Sequence, residues 1–309
     1  MLAILGMMGF VLGALLFGDD STEKDDDNSA AEDDTDTPEV ELTSLDDLLA
    51  ASDDEVISTV ADRFATLEPR MIALADLIEV SDDDTVLFAD DSDNLIVTGA
   101  GNDYIHGRDG DDVIVAGAGK DILHGGRGDD ILFGGAGDDE LYGHVGNDIL
   151  FGGDGNDLLV GGDGDDILIG GAGDDVLMGS YGNNILIGGP GADTLLGGPG
   201  NDILIDRDDL DIDYLNGGAG DDYLSGGPGD HLHGGPGVDI FNMRPGMAVT
   251  LHDYDPAEDR IEIEYSGERP VLTTGLAEDG TLLLANGDVI AKLTNFAEPD
   301  LAAVIYLQV

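Results

Sequence analysis

The chain has no cysteine, and only 11 of its 309 residues are lysine or arginine. Without cysteine, neither disulfides nor thiolate metal sites can hold the fold. The 68 acidic residues give a formal net charge of −57, which excludes nucleic acid as a partner because its phosphates would be repelled along their whole length. Cations are the expected partners, since self-repulsion of this size opposes a compact state unless it is neutralised.

The sequence also lacks the catalytic motifs HExxH and GxSxG, so it carries neither that zinc-protease signature nor that serine-hydrolase signature. A fully disordered chain is excluded as well, because 41% of the residues are hydrophobic. The glycines number 49 and are concentrated in the middle of the chain. We therefore expect a non-enzymatic protein, and the clustering of glycine directs attention to internal repeats.

A nonapeptide repeat occupies the middle of the chain. Residues 98–205 divide without a gap into twelve blocks of nine residues, such as GGDGDDILI at 161–169. An irregular block at 206–216 and three further blocks at 217–242 follow, the middle one shortened, and residues 89–97 resemble a degenerate first block. Position 6 of a block is typically aspartate, and position 8 is aliphatic in all twelve regular blocks.

Each block reads as a six-residue loop followed by a three-residue strand. Glycine at positions 2 and 4 permits a positive φ, so the loop can turn tightly and present carbonyl oxygens inward. If the chain reverses at every loop, two blocks form one coil of eighteen residues, and alternate blocks stack about 4.8 Å apart as parallel strands do. Stacked aspartates would then flank a small cavity lined by oxygen, which suits calcium better than magnesium or zinc.

With this pattern the chain resembles the RTX proteins, whose hemolysin-type calcium-binding repeat has the form GGxGxDxUx. The resemblance implies a right-handed parallel β-roll, an all-β solenoid, over residues 89–242. It also implies several bound Ca²⁺ ions between stacked loops, folding on calcium binding, and type I export from a Gram-negative-type cell. Residues 243–309 look like the β-rich cap that carries an uncleaved secretion signal in many such proteins.

The resemblance assigns the calcium ligands to position 6, and one block departs from the pattern. Asn184 replaces the aspartate there, so calcium sites that use its loop should be weak or missing. Aspartate could instead merely cap turns, but turn chemistry alone does not demand a period of nine. The implied ligands are Asp103, Asp112, Asp121, Asp130, Asp139, Asp148, Asp157, Asp166, Asp175, Asp193, Asp202, Asp222, Asp230 and Asp239.

The N-terminal region has three parts. Residues 1–18 carry no charge and predict a secretion signal or a membrane anchor. Residues 19–43 hold twelve acids and one lysine, which is typical of a solvated disordered linker. Residues 44–88 predict a short helical cap, with a helix over about 53–67 and a second short helix or turn near 71–80.

The two faces of the predicted roll differ. Positions 7 and 9 should point away from the interior, and in even-numbered blocks all twelve of these residues are apolar. We expect either a surface for self-association, a protein partner or lipid, or a face covered within the chain. The residues of this stripe are Val113, Val115, Ile131, Phe133, Ile149, Phe151, Ile167, Ile169, Ile185, Ile187, Ile203 and Ile205.

Two weaker signals stand outside the repeat pattern. His106 and His124 should stack on the odd-numbered face and could pair around a transition metal, although exposed histidines are usually only solvated. The stretch DLDIDY from Asp209 begins like an EF-hand loop but has Tyr214 where glycine is required. We interpret it as an insertion that could add calcium oxygens.

The sequence therefore predicts a calcium-binding extracellular or cell-surface structural or adhesive protein. The alternative is an export and folding module that accompanies a separate enzyme or toxin. A third class, an enzyme acting through an unrecognised site, would require activity from the roll itself.

Overall fold

The computed structural model describes residues 76–79, 83–207, 210–295 and 299–308. The predictions for residues 1–18 and 19–43 and for the helix over 53–67 lie outside the described residues. The chain divides into two compact units, Met1–Ala65 and Thr66–Val309, and every described residue belongs to the second. In the described ranges, no helix has the length and hydrophobicity needed to cross a membrane.

The described part of the chain is built from 25 strands in two sheets, which we call sheet A and sheet B. In spatial order, sheet A consists of β1 (Asp76–Glu79), β3 (Asn94–Val97), β5 (Val113–Ala118), β7 (Ile131–Ala136), β9 (Ile149–Asp154), β11 (Ile167–Ala172), β13 (Ile185–Ile187), β15 (Ile203–Asp206), β17 (Tyr223–Gly226), β19 (Ile240–Met243), β21 (Arg260–Tyr265) and β25 (Ile305–Gln308). Sheet B consists of β2 (Val86–Phe88), β4 (Tyr104–Asp109), β6 (Ile122–Arg127), β8 (Glu140–Val145), β10 (Leu158–Asp163), β12 (Val176–Tyr181), β14 (Thr194–Pro199), β16 (Tyr214–Ala219), β18 (His231–His233), β20 (Val249–Leu251), β24 (Asp288–Leu293), β23 (Gly280–Ala285) and β22 (Leu272–Ala277).

From β1 to β22 consecutive strands alternate between the two sheets, which confirms the all-β parallel solenoid with two blocks per coil. The register advances by eighteen residues, so Ile131 of β7 lies beside Ile149 of β9, and Leu158 of β10 lies beside Val176 of β12. Most repeat strands are longer than the predicted three residues. They span six because the chain stays paired through position 3 of the next block, as where Ala136 lies beside Asp154.

Position 2 has a positive φ in most blocks, whether or not glycine occupies it. Glycine takes φ values such as +114° at Gly171. Three blocks have another residue there, and Arg108, His144 and Ser180 have φ values of 87°, 78° and 77°. These values lie closer to the left-handed helical region that side chains tolerate, so the fold imposes the turn and the residue adapts to it.

The interior of the roll is a ladder of the aliphatic residues at position 8. In both sheets these side chains point inward and are fully buried, as predicted; Leu132, Leu150 and Leu168 in sheet A and Leu141 and Leu159 in sheet B are examples. Burying one leucine side chain contributes about 1.5–3 kcal/mol, so the repeated position 8 supplies a continuous apolar core.

Both ends of the roll extend beyond the predicted limits. The second short helix or turn expected near 71–80 is wrong at residues 76–79, which form β1 and pair in parallel with β3. Strand β2, at 86–88, likewise pairs with β4, so part of the expected helical cap belongs to the solenoid. An extended segment pairs with the first coil because the exposed edge of that coil offers unpaired backbone N–H and C=O groups.

The C-terminal segment is β-rich, as predicted, and it continues both sheets instead of forming a domain apart. Strand β24 pairs in parallel with β20, and β25 pairs with β21. Antiparallel pairing links β22, β23 and β24. The predicted hairpin in the sequence ANGDV is present, with φ of 54° at Asn286 and 99° at Gly287, the positive values that a two-residue turn of this type needs.

The apolar stripe on sheet A is largely buried. Eight of its twelve side chains are at most 8% exposed: Val113, Val115, Ile131, Phe133, Ile149, Phe151, Ile167 and Ile185. Ile169, Ile187, Ile203 and Ile205 are partly exposed. Both alternatives for this face, association with another molecule and cover within the chain, stay predictions.

Gly171 and Ser180 both lie at position 2 of their blocks but differ in φ, +114° against +77°, which gives a test of the turn geometry. A Cβ on Gly171 would overlap the carbonyl oxygen of Gly153 at a φ of +114°. We expect Gly171→Ser to lower the free energy of unfolding by about 2 kcal/mol, the usual cost of a strained backbone. The matched change Ser180→Gly should alter it by less than about 1 kcal/mol. Urea unfolding of the calcium-saturated protein measures both, and equal losses would contradict the assignment.

Candidate metal sites

The aspartates at position 6 form two ladders along the roll, one beside each sheet. In each ladder the Oδ1 atom accepts a hydrogen bond from the backbone N–H of the position 6 residue one coil earlier. Asp112 N–H donates to Asp130 Oδ1 at 2.8 Å, and Asp139 N–H donates to Asp157 Oδ1 at 2.7 Å. One oxygen of each carboxylate is thereby used to hold consecutive coils in register.

The second oxygen of these carboxylates points into the protein. In ten aspartates of the ladders, Oδ2 is buried and has no hydrogen-bond partner among the described residues: Asp103, Asp112, Asp121, Asp130, Asp139, Asp157, Asp175, Asp202, Asp222 and Asp239. Buried polar atoms in proteins are nearly always paired, and an uncompensated buried charge is far more costly than an unpaired neutral group. So regular a set of exceptions indicates that each oxygen is kept for a cation.

In eight of these ten blocks position 1 is glycine, which leaves the space in front of the oxygen open; the blocks of Asp103 and Asp121 have Thr98 and Ala116 there. A Cβ on Gly134 would lie 2.8 Å from the carbonyl oxygen of Gly152 one coil later, and it would also meet Asp139 Oδ2 of its own block. The same overlap recurs at Gly152, which faces Asp157 Oδ2 and the carbonyl oxygen of Gly170. Carboxylate and carbonyl oxygens therefore converge where a side chain is missing, which is the hard donor set that calcium prefers.

Burial raises the pKa of the ladder carboxyls. Loss of hydration is the main cause, and neighbouring carboxylates add to it. The pKa rises to about 9 for Asp130, to about 8 for Asp139 and Asp175, and to about 7 for Asp222. For Asp112 the pKa rises to about 6. Without a counter-charge, the fold thus opposes the ionised form that a metal ligand must have.

The structure brings all fourteen predicted ligands into the two ladders, each at most 3% exposed. Their role as calcium ligands stays a prediction. The aspartates at position 5 differ, because they lie near the surface and bond in the opposite direction. Asp129 N–H, for example, donates to Asp111 Oδ1 of the coil before it, at 2.9 Å. The two adjacent aspartates of a block therefore have separate structural roles.

Asn184 keeps one function of the aspartate that it replaces and loses the other. Its Oδ1 accepts the N–H of Asp166 at 3.0 Å, so the ladder is continuous. Its Nδ2 takes the place of the second carboxylate oxygen, next to the space above Gly179, and donates to the carbonyl oxygen of Gly182 at 3.2 Å. An N–H donor there cannot coordinate a cation, which agrees with the expected weakening.

Sequence reasoning missed several ladder residues. Asp213 Oδ1 accepts the N–H of Asp193 at 2.8 Å, and Asp259 Oδ1 accepts the N–H of Asp239 at 3.1 Å. Asp213 directly precedes the strand sequence YLN, so its place before an apolar strand could have revealed it. Asp259 precedes the strand RIEIEY but lies beyond the glycine period, so only the structure identifies it.

A group of three buried carboxylates lies at the irregular block. Asp193, Asp206 and Asp213 have ligand atoms within 4.8 Å of one another. Asp206 follows the strand residue Ile205, where the regular blocks have a position 1 glycine. This agrees with the expectation that the irregular block adds oxygens to the roll.

The repeat region matches a known protein family. The family model described as the RTX calcium-binding nonapeptide repeat (4 copies) matches residues 88–123, 115–150, 142–177 and 169–204. No curated protein matches the chain closely enough to count as a relative.

Two solved structures resemble parts of the chain. The AlgE6R3 subunit of the mannuronan C5-epimerase from Azotobacter vinelandii is 29% identical over 45% of this chain and 80% of its own, with a TM-score of 0.24. The extracellular lipase LipA from Serratia marcescens is 19% identical over 73% of this chain and 41% of its own, with a TM-score of 0.19. The family match, the period of the coils and the aspartate ladders together identify residues 88–204 as RTX calcium-binding nonapeptide repeats in a parallel β-roll.

Proposed function

We propose that this chain is an exported structural or adhesive protein that folds when it binds calcium outside the cell. The observation that carries the proposal is the row of buried Oδ2 atoms without hydrogen-bond partners among the described residues, most of them next to a space that a position 1 glycine leaves open. A divalent cation bound there would complete the coordination that the protein begins. It would also offset part of the net charge of −57.

The magnitudes support calcium as a folding ligand. A site at ten times its dissociation constant contributes about 1.4 kcal/mol, so ten such sites contribute on the order of 14 kcal/mol. That is comparable with the whole stability of a domain, about 5–15 kcal/mol. Extracellular calcium modules bind with dissociation constants of about 0.1–1 mM. We expect the chain to be loose in a low-calcium cytoplasm and folded outside.

The structural or adhesive role is supported by composition. The chain lacks the two catalytic motifs considered above, and most of the described residues belong to the roll and its C-terminal continuation. The alternative is an export and folding module for a separate enzyme or toxin. Purification of the secreted protein in calcium separates the two, since a catalytic subunit that co-purifies in fixed ratio would contradict the structural role.

Calcium removal is the direct test of the folding step. In chelator we expect the far-UV circular dichroism of a disordered chain, because the ladder carboxylates repel one another and lose hydration when buried. Adding calcium should produce the β-sheet signal cooperatively, and magnesium at the same concentration should not, because it resists full dehydration. An identical spectrum with and without calcium would overturn the proposal.

The departure at Asn184 allows a gain-of-function test. We expect Asn184→Asp to add a carboxylate oxygen to the site, so that the number of bound calcium ions or the affinity rises and the calcium midpoint of folding falls. Asn183→Asp is the matched control, because it adds the same charge at the neighbouring exposed position. Isothermal titration calorimetry and circular dichroism measure these effects. Equal responses of the two variants would mean that charge alone, and not the site, governs binding.

The raised pKa values predict how pH affects the metal-free chain. The pKa of Asp130 rises from 3.8 to about 9 and that of Asp139 to about 8, so the folded state binds more protons than the unfolded state between those limits. Its stability therefore falls as pH rises through this window. In chelator we expect β structure to appear on acidification from about pH 9 towards pH 4. Calcium affinity should change the other way and fall with acidification, because protons compete for the carboxylates.

The control for this test is the calcium-saturated protein, whose ladder carboxylates are held ionised. Its circular dichroism should stay constant from pH 9 to well below neutrality. A metal-free chain that gains no β structure on acidification would contradict the burial of these carboxyls as the obstacle to folding.

A further inference from the structure

The chain has six histidines, and all of them lie in two groups on sheet B or at its edge. The first group, which we call the N-terminal histidine group, consists of His106, His124 and His144. The second, the C-terminal histidine group, consists of His231, His233 and His252. Chance distribution of six residues over the chain would not place them three by three on one of the two sheets. The calcium ladders use none of these side chains.

The N-terminal histidine group spans three neighbouring strands, β4, β6 and β8. His124 Nδ1 and His144 Nε2 lie 2.9 Å apart. The ring centroid of His106 is 5.5 Å from that of His124 and 6.5 Å from that of His144, and His106 Nδ1 is buried with no hydrogen-bond partner among the described residues. His106 and His124 are therefore neighbours, as predicted. The third ring of the group, His144, was not predicted from the sequence.

The C-terminal histidine group also contains a close pair of rings, and it has a carboxylate in addition. His231 Nδ1 and His252 Nε2 lie 2.7 Å apart, and the rings of His233 and His252 stack with centroids 4.4 Å apart. Asp253 Oδ2 lies 3.8 Å from His233 Nδ1. This carboxylate is held in place by the backbone N–H groups of Gly234 and Gly235, at 3.1 and 2.9 Å.

We propose that each histidine group binds one divalent transition-metal cation, such as Zn²⁺, Ni²⁺ or Cu²⁺. Two nitrogens that each lie about 2.0–2.1 Å from a tetrahedral metal are about 3.3 Å apart. In each group one pair of nitrogens lies so close that ring rotations moving the two apart by a few tenths of an ångström would admit the ion. Among the described residues neither group brings three ligand atoms within 4.8 Å of one another, so water would complete the coordination. Imidazole nitrogen selects these metals, whereas calcium prefers oxygen, so the groups and the ladders bind different cations.

The protonation of the rings supports metal binding. Burial lowers the pKa of His124 to about 4, and burial together with neighbouring histidines lowers the pKa of His144 and His252. These imidazoles are neutral at pH 7, and the neutral form is the one that coordinates a metal.

The charged residues around the two histidine groups predict which group binds a metal cation more tightly. The N-terminal histidine group borders a shallow depression of about 460 Å³ whose charged lining is balanced, with Arg108 and Arg127 offset by Asp91 and Asp109. The C-terminal histidine group has Asp253 beside it, and the nearby Lys292 is paired with Asp279 at 2.6 Å. We therefore expect the C-terminal histidine group to bind more tightly.

The experiment titrates the full chain with Ni²⁺ while calcium is held at saturation, so that the ladders are occupied. Calorimetry should show two equivalents of different affinity. The double variant His231→Gln/His252→Gln should remove the tighter one, and His124→Gln/His144→Gln should remove the weaker one. Each variant is the control for the other, because it has the same number of histidines, and circular dichroism checks that each keeps the calcium-induced fold.

A spectroscopic measurement identifies the ligands. With Cu²⁺ in place of Ni²⁺, electron paramagnetic resonance should show coupling to nitrogen that is reduced in each double variant and lost when the four substitutions are combined. Unchanged stoichiometry in the variants would overturn the proposal, because the metal would then bind to the carboxylates. Absence of Ni²⁺ binding by the calcium-saturated, unsubstituted chain would overturn it as well.

Discussion

The structure depends on the two oxygens of each ladder aspartate, which have different tasks. Oδ1 accepts a backbone N–H from the preceding coil, as in the pair Asp112 and Asp130, and so fixes the register of the roll. Oδ2 is buried and lacks a hydrogen-bond donor among the described residues in ten of these aspartates. The same side chain that specifies the stacking of the coils therefore makes the stacked state costly without a cation. On this ground we propose that folding and cation binding are one equilibrium.

The other constant positions of the block serve this arrangement. Position 2 turns the chain with a positive φ, which even Arg108, His144 and Ser180 adopt. Position 1 is glycine in most blocks and leaves open the space in front of Oδ2, because a Cβ there would fill it. Position 8 supplies the apolar interior that any folded chain requires, and its leucines are fully buried. A period of nine residues is the shortest unit of this roll that contains one turn, one ligand and one core residue.

The repeat made most of the fold predictable, since a period of nine with glycine at fixed positions determines the coil, the eighteen-residue register and the burial of position 8. It could not predict where the roll ends. Strands β1 and β2 and the ladder residue Asp259 lie outside the glycine pattern, and they join because a sheet edge accepts any extended segment. The burial of Phe133 and Phe151 could not be predicted from the sequence either, because an apolar residue that points away from the interior can be exposed or covered. His144 was missed because it lies at position 2 of its block and not at an outward strand position. The C-terminal histidine group was missed because it lies in the shortened block and beyond the repeat.

The central claim is that cations bind between stacked coils, at the second oxygen of the position 6 aspartates, and not at the exposed acids around them. A crystal structure of the calcium-saturated chain, with anomalous differences measured for calcium, tests it most directly. The account predicts anomalous peaks in two rows, each within coordination distance of a buried Oδ2 such as that of Asp130 or Asp139, with a gap or a weaker peak at Asn184. Peaks confined to the position 5 carboxylates at the surface, with the buried oxygens unoccupied, would contradict it.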